Sequence, residues 1–453
     1  MMRSAVTALH DRVERPRIAI IAHSHPSATK GGAEIAAYSV YQGLLKLGHD
    51  VIFIAACPEK DQAKVSLASE REFLILHRPE TYDHFYHVAA ANLSRELNAL
   101  LEREQVTVVN FHHFFNFGFG VLRDLKTSRP LRTTFTIHEY LAICQHHGQM
   151  VTNPDKLLCN SASSQACANC FPERTRQQFA IRKKLFTDVF DEVDAYVAPS
   201  QFLADRYIAW GLDESRMSVI ENGLRVIPPP PASVNKTGQS RWIIGFFGQI
   251  NPFKGVDLLM AVAAMIDADK SLAGRISIRL HGNLIGQSQE FIDQVTQLSK
   301  SGSSLIFLGP YDNSVVNRLM AECDYVIVPS RWWENSPVVN QEAFAAGRPV
   351  ICTGIGGMAE KVTDGVSGFH FRHNDAQDLF AVIKRAADAA VWAKVAQGLP
   401  SPIDTEAMAR QYLPVLLGPS EEMPASATSA QPSIDRTQPH SRSHDRLVTH
   451  VAT

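Results

Sequence analysis

The chain has 453 residues, 45% of them hydrophobic, with 44 basic against 46 acidic side chains and a formal net charge of -2. This is the composition of a globular protein large enough for two or three domains, each burying its own core without disulfides or metals. The charge balance lacks the basic footprint of a nucleic-acid binder, and no apolar run approaches the roughly 18 residues of a membrane span. Charges run through MMRSAVTALHDRVERP where an export signal needs an apolar stretch, so residues 1–16 read as a short extension and the protein as cytoplasmic.

From Arg17, RIAIIAHSH is an apolar burst suited to a buried strand; Gly31 and Gly32 turn the chain, a helix runs from Glu34 to Leu47, and Gly48 stops it. VIFIAA from Val51 completes a strand, helix, strand unit. VTVVNF from Val106, RTTFTIH from Arg132 and DAYVAPS from Asp194 continue the alternation, with a helix opening near Ser200. Short buried strands between amphipathic helices predict a doubly wound parallel sheet, here over 17–224. Residues 225–241, RVIPPPPASVNKTGQSR, have a linker's composition. Strand candidates then resume at Trp242, Ile276, Ser304, Asp324 and Arg348, which predicts a second Rossmann-like domain over 242–400. A helix follows within 401–417, and the tail 418–453, free of Phe, Trp and Tyr, reads as disordered. In such an α/β architecture of two facing domains, ligands belong in the cleft at the carboxyl ends of the strands.

The most informative window is PSRWWENSPVVNQEAFAAGRPVICTGIGG, from Pro329 to Gly357. Ser336 and Pro337 form an N-cap and first-turn pair, and Gly347 a terminator, predicting a helix from Pro337 to Ala346. Glu334 then precedes the helix and Glu342 lies inside it. The first-turn amides of Val338 and Val339 make a natural anion site. Two carboxylates would repel a phosphate there unless they accept hydrogen bonds from neutral hydroxyls, which ribose and sugar rings carry. The window therefore points to a nucleotide sugar; two solvated glutamates on an ordinary helix are the plain alternative. In FFGQINPFKG, from Phe246 to Gly255, Lys254 follows the strand on a loop from which its point charge can reach a diphosphate.

Together with KGGAE (Lys30 to Glu34), TIHEY (Thr136 to Tyr140), APSQF from Ala198 and ENG (Glu221 to Gly223), these windows make the chain resemble the retaining glycosyltransferases of the GT-B fold, family-four type, over about residues 17–415. The resemblance implies that Glu342 holds the ribose hydroxyls, Glu334 contacts the transferred sugar and Lys254 neutralises the departing diphosphate. Gly31 and Gly32 would let the backbone approach the donor phosphate or the acceptor, and His138 would lie near the anomeric carbon. Where the family usually has an arginine beside the lysine, Gln249 stands here; it donates a hydrogen bond but no charge, so more of the leaving-group stabilisation rests on Lys254 and helix amides. Arg331 is a candidate for part of the missing charge.

The implied reaction moves sugar from a nucleoside diphosphate sugar to a hydroxyl of a glycan or lipid-linked acceptor, in bacterial surface polysaccharide or lipid-linked glycan assembly, at the inner face of the membrane. The leaving phosphate itself would help deprotonate the acceptor, with no catalytic cofactor. Asp267, Ala268 and Asp269 spell a metal-holding pattern of a different glycosyltransferase fold, but they end a helix and read as exposed charge. A silent sugar-nucleotide-binding scaffold, or an epimerase or phosphorylase on the same fold, are the competing functions.

Cys144, Cys159, Cys167 and Cys170 fall in one loop-rich insertion, 144–170, where structural zinc, disulfides and free thiols are all open. Cys57, Cys323 and Cys352 read as buried core residues. The stretch 173–186, with Arg174, Arg176, Arg182, Lys183 and Lys184 among apolar residues, could contact an anionic membrane or could be an ordinary surface helix. HHFFNFGF, from His112 to Phe119, could line the acceptor side of the cleft or belong to the core.

Overall fold

The computed structural model describes residues 16–29, 31–225 and 241–418. Almost all of the extension expected over 1–16, the linker over 225–241 and the tail over 418–453 lies outside them.

Two wholly parallel sheets carry the described chain. The first contains β1 (Arg17–Ala22), β2 (Val51–Pro58), β3 (Glu72–His77), β4 (Val106–Phe111), β5 (Arg132–Thr136), β6 (Ala195–Ala198) and β7 (Met217–Val219), in the order 3-2-1-4-5-6-7. The second contains β8 (Trp242–Phe247), β9 (Ile276–His281), β10 (Leu305–Gly309), β11 (Tyr325–Val328), β12 (Val350–Thr353) and β13 (Gly368–Phe371), in the order 10-9-8-11-12-13. In both, the chain starts mid-sheet and reverses beside the first strand, between β1 and β4 and between β8 and β11. That reversal opens a crevice at the carboxyl ends of the strands.

Helices cover both faces of each sheet, which is why the strands read as continuous apolar runs: Ile18 to Ala22 are all 0% exposed. In register, Ile18 sits opposite Val51 on one side and Val108 on the other, and Ile244 opposite Tyr325. Strands β3, β7 and β13 have no counterpart among the sequence expectations.

The last described helix, Thr405–Leu417, follows the second sheet in sequence but packs on the first. Met408, Ala409, Tyr412 and Leu416 share a core with Tyr41, Leu44 and Phe53. Gly43 permits the approach, since a Cβ there would lie 2.7 Å from that of Ala409. Arg132 at the start of β5 donates to the carbonyls of Val415 and Leu416 (2.9 and 2.8 Å).

Candidate active site

The second sheet contributes three loops. After β8, Asn251 caps the short 3-10 turn Pro252–Lys254 by accepting from the Lys254 amide (2.9 Å). Gly255 closes this turn at φ 76°, where a side chain would also strike the Pro329 carbonyl. The turn aims Lys254 at Glu334, whose Oε1 lies 2.5 Å from the lysine Nζ. Oε1 also accepts from Ser330 Oγ (2.7 Å) and Trp332 Nε1 (2.8 Å), whereas Oε2 has no hydrogen bond from the described residues. Burial pushes the Glu334 pKa up, but Lys254's charge and the three hydrogen bonds outweigh it, so the net shift is downward. One oxygen is saturated and the other remains for a ligand hydroxyl.

The following helix is Val338–Ala345, one residue shorter at each end than the sequence predicts. Pro337 occupies the cap position, and no side chain caps the helix. Ser336 does not act as the expected N-cap because its hydroxyl donates instead to Glu221 Oε1 (2.5 Å). The first-turn amides of Val338 and Val339 therefore lack a side-chain partner, as an anion-binding helix start requires. Glu342, one turn in, has its pKa raised to about 7 by burial against an opposing hydrogen bond from Asn313. After β12, Gly357 donates to the Glu334 carbonyl (2.8 Å), and a Cβ on it would collide with the Asn335 carbonyl. Gln249 is exposed on the β8 loop, and Arg331 pairs with Asp257 (2.7 Å), so its charge is not free for the role sequence suggested.

Facing these loops are the carboxyl ends of β1, β4 and β5. His138 follows β5; its Nε2 lies 2.9 Å from Nδ1 of His112, and burial, reinforced by His113 and His23, lowers its pKa to about 3. It is a neutral imidazole at physiological pH. Gly31 is filled from beneath by the Glu34 carboxylate, while a Cβ on Gly32 would meet open space. Burial works to raise the Glu34 pKa, yet His23, its own amide and Thr29 together bring it down to about 2. In HHFFNFGF, Phe114, Phe117 and Phe119 are core, while His112 and His113 reach the site.

The two sets of loops touch. Asn335 Nδ2 donates to the His138 carbonyl (2.6 Å), and Trp333 Nε1 to the Cys159 carbonyl (3.0 Å). Glu360 of the second lobe accepts from the Gln201 and Phe202 amides (3.0 and 2.8 Å), and Lys361 pairs with Glu221. Glu139, Glu221 and Asn335 are the site neighbours to which sequence assigned no role, while His112 and His113 come from the stretch read as a possible acceptor-side lining. Each lies inside or next to a window already singled out.

Two other expectations concern the clustered cysteines and the stretch Asp267 to Asp269. Among the described residues no group of three or more His, Cys, Asp or Glu side chains could hold a metal ion. All seven cysteines are free. Cys144, Cys159, Cys167 and Cys170 thus do not present the zinc ligand set their spacing suggested: Cys144 and Cys159 pack against the first core, and the Cys159 thiol donates to the Ser161 carbonyl (3.3 Å). Asp267 and Asp269 do stand at the end of the helix Val256–Ala268, as expected; Asp267 is exposed and accepts from Ser303 and Ser304 beside β10, and Asp269 pairs with Lys384 (2.9 Å). Cys57, Cys323 and Cys352 are buried, as expected.

Two family models match the chain: "Glycosyltransferase Family 4" over 30–226 and "Glycosyl transferases group 1" over 241–389. The first takes in the first sheet except β1, and the second takes in the whole second sheet. The chain belongs to the GT-B glycosyltransferases of the family-four type. Among its relatives is the D-inositol 3-phosphate glycosyltransferase of Salinispora arenicola, 29% identical over 229 residues, which are 46% of this chain and 47% of that protein. The chain thus spans about half the length of the curated relatives it matches. Solved structures with the same fold include Anabaena HepE in complex with UDP (TM-score 0.62, 17% identity, 89% of this chain and 99% of that one). Sucrose-phosphate synthase of Thermosynechococcus elongatus is another (TM-score 0.64, 17% identity, 89% and 97%). The cleft of this family-four glycosyltransferase thus sets Glu334, Lys254 and Glu342 on one side and His138 on the other.

Proposed function

We propose that the protein transfers a glycosyl group from a nucleoside diphosphate sugar to a hydroxyl acceptor with retention of configuration. The observation that carries this is the state of Glu334: Oε1 is saturated by Lys254, Ser330 and Trp332, and Oε2 is left for a sugar hydroxyl beside an uncapped helix start. The diphosphate would lie on the Val338 and Val339 amides and draw Lys254 toward it, so that negative charge growing on the leaving oxygen meets fixed dipoles and one cation. Glu342 would accept from the ribose hydroxyls, with Tyr311 and Asn313 beside it. Gln249 would donate to a phosphate oxygen, and Gly32 would leave the first lobe's backbone open to the substrate. His138, held neutral, would offer hydrogen bonds without charge to the sugar.

HepE was solved with UDP and with UDP-glucose, which makes uridine donors the first to try. A surface-glycan or lipid-linked acceptor remains our first reading, at the inner face of the cell membrane. An inositol phosphate is the second, favoured by the relatives' activity. Beside the donor loop, a cavity of about 350 Å3 lined by Val151, Leu157, Phe253, Arg331 and His373 offers room for the acceptor's further residues.

Thermal-shift measurements with a panel of nucleoside diphosphate sugars test the donor reading, because a ligand of the native state raises its stability. Stabilisation by one member that Glu342→Ala abolishes is the expected result. No stabilisation by any of them, with acceptor present or absent, would turn the reading toward a silent scaffold.

A further inference from the structure

Trp332 stands in the loop after β11 and meets both members of the clamp. Its Nε1 donates to Glu334 Oε1 (2.8 Å), and Lys254 Nζ lies over its ring, 5.2 Å from the centroid. Phe253, the residue before Lys254, stacks on the same indole with centroids 5.6 Å apart and planes 13° from parallel. Lys156, from the insertion of the first lobe, lies over the Phe253 ring in turn (5.4 Å). One indole thus touches the lysine, the glutamate and the ring beside them.

The loop does not need this side chain for its own shape. Arg331 donates its amide to the Phe253 carbonyl (2.8 Å), accepts at its own carbonyl from His373 (2.8 Å) and pairs with Asp257 (2.7 Å). Trp333 donates to the Cys159 carbonyl (3.0 Å) and packs on Phe202, with centroids 5.1 Å apart. The chain is therefore fixed on both sides of Trp332, and the single N–H of its indole is given to Glu334.

We infer that Trp332 is the positioning residue of the clamp, holding Lys254 on its ring and keeping Glu334 oriented when the lysine moves to the diphosphate. The inference rests on the donor reading above. Attraction between an ammonium and an aromatic face is weaker than its pairing with a phosphate, so the ring can hold the lysine near the site and still yield it. Once Lys254 has moved, Oε1 of Glu334 keeps two of its three donors, Trp332 and Ser330 (2.8 and 2.7 Å). The carboxylate then stays turned with Oε2 toward the sugar, and the lysine's charge stays in the site. Phe253 fixes the plane of the indole, so ring and N–H keep their aim together. Trp332 takes no part in proton transfer, which stays with the leaving phosphate as the resemblance implies.

The test compares full-length Trp332→Phe and Trp332→Leu with the wild type. Phe keeps a ring for Lys254 and Phe253 but has no N–H; Leu has neither. At saturating donor, kcat should fall by about 10- to 100-fold in Trp332→Phe, the scale of one hydrogen bond to a charged group, and by more in Trp332→Leu. Binding of the sugar-free nucleoside diphosphate, followed by thermal shift, should persist in both, because it would use the lysine and the helix amides rather than the indole. Tryptophan emission gives a readout that needs no substrate. Of the five tryptophans it is Trp332 that carries the Lys254 ammonium, so Lys254→Met should change the emission of the wild type and not that of Trp332→Phe. Near-wild-type kcat in Trp332→Leu, or an emission that Lys254→Met leaves unaltered, would overturn the inference. Loss of nucleoside diphosphate binding along with turnover would do so as well, by making the indole a support of the fold. Failure of the wild type to bind any sugar nucleotide strikes the donor reading instead, and the emission measurement still decides the contact between Lys254 and Trp332.

Discussion

Lys254 Nζ and Glu334 Oε1 stand 2.5 Å apart, joining residues 80 positions distant at the mouth of the cleft. Lys254 is 28% exposed and Glu334 13%, so the carboxylate is the partner that depends on the pair. Removing the lysine leaves a largely desolvated acid with only Ser330 and Trp332 to hold it. Its pKa then rises, and the donor loses both the cation and an ionised hydrogen-bond acceptor. Lys254→Ala should lower kcat/KM by about 100-fold or more. Glu334→Gln added to it should cost far less than it does alone, because the two groups act as one unit. A double-mutant cycle in kcat/KM measures this, and strictly additive losses would show the pair to be incidental.

Glu342 gives the donor site a pH dependence. Burial places its pKa at about 7 before any ligand arrives. An ionised carboxylate can accept from two ribose hydroxyls, whereas the protonated form has lost part of that capacity and must give up its proton to bind well. Donor affinity should therefore increase as pH rises through about 7 and level off above it. Glu342→Gln should remove the dependence and weaken binding by roughly tenfold or more, the scale of a hydrogen bond to a charged group. Titrations across this range in wild type and variant decide the matter; parallel curves would mean that another group titrates.

Gly357 tests whether the loop position matters apart from the charges on it. Its amide holds the Glu334 carbonyl at 2.8 Å, and a Cβ would overlap the Asn335 carbonyl. Gly357→Ala must push this loop aside and with it both Glu334 and the Asn335 bond to His138. A displacement of about 1 Å can cost about 100-fold in rate, while overpacking of this kind costs about 1–3 kcal/mol of stability. We expect a folded variant with kcat reduced far more than its melting temperature suggests, read from kinetics beside a thermal melt. Full activity would mean that the loop is not held by this contact.

The parts of the molecule legible from sequence are those governed by local pattern. Apolar runs gave ten of the strands because strands covered on both faces need nothing but apolar residues. Strand β3 escaped because it begins with Glu72, a residue that reads as loop. In the fold Glu72 is 4% exposed and satisfied by Tyr38 Oη (2.8 Å), the Ala68 amide (2.7 Å) and His25 (3.3 Å). Strand β13, Gly368–Phe371, opens on a glycine and carries His370 between its two phenylalanines, so it shows no apolar run. Ser336 shows the same limit at the site: its identity suits a cap, but Glu221, 115 residues away, takes its hydroxyl. Lys254, Glu334 and Glu342 could be named because chemistry narrows residue type near a diphosphate sugar. The pairing of Asn335 with His138 spans 197 residues and leaves no local trace.

The helix Arg176–Phe190 carries the membrane question in a form that differs from its sequence pattern. Arg182 is 3% exposed and bound to backbone carbonyls, so it contributes nothing to a basic face. What the helix does present is Ile181, 52% exposed, and Leu185, 41% exposed, one turn apart and flanked by exposed Arg176, Lys183 and Lys184. Lys184 is partly engaged by Asp188 at 2.5 Å. Each basic residue near an anionic surface is worth about 1 kcal/mol, and the two apolar side chains add burial in the interface. We propose that this sum supports weak, reversible attachment, as the proposed lipid-linked acceptor would require. In cosedimentation, the protein should partition onto vesicles containing anionic lipid but not onto neutral ones, and added salt should release it. Replacing Ile181 and Leu185 together with Ser should reduce binding without altering donor affinity, because neither residue belongs to the cleft. Equal binding to neutral vesicles, or binding indifferent to the double replacement, would place the membrane contact elsewhere.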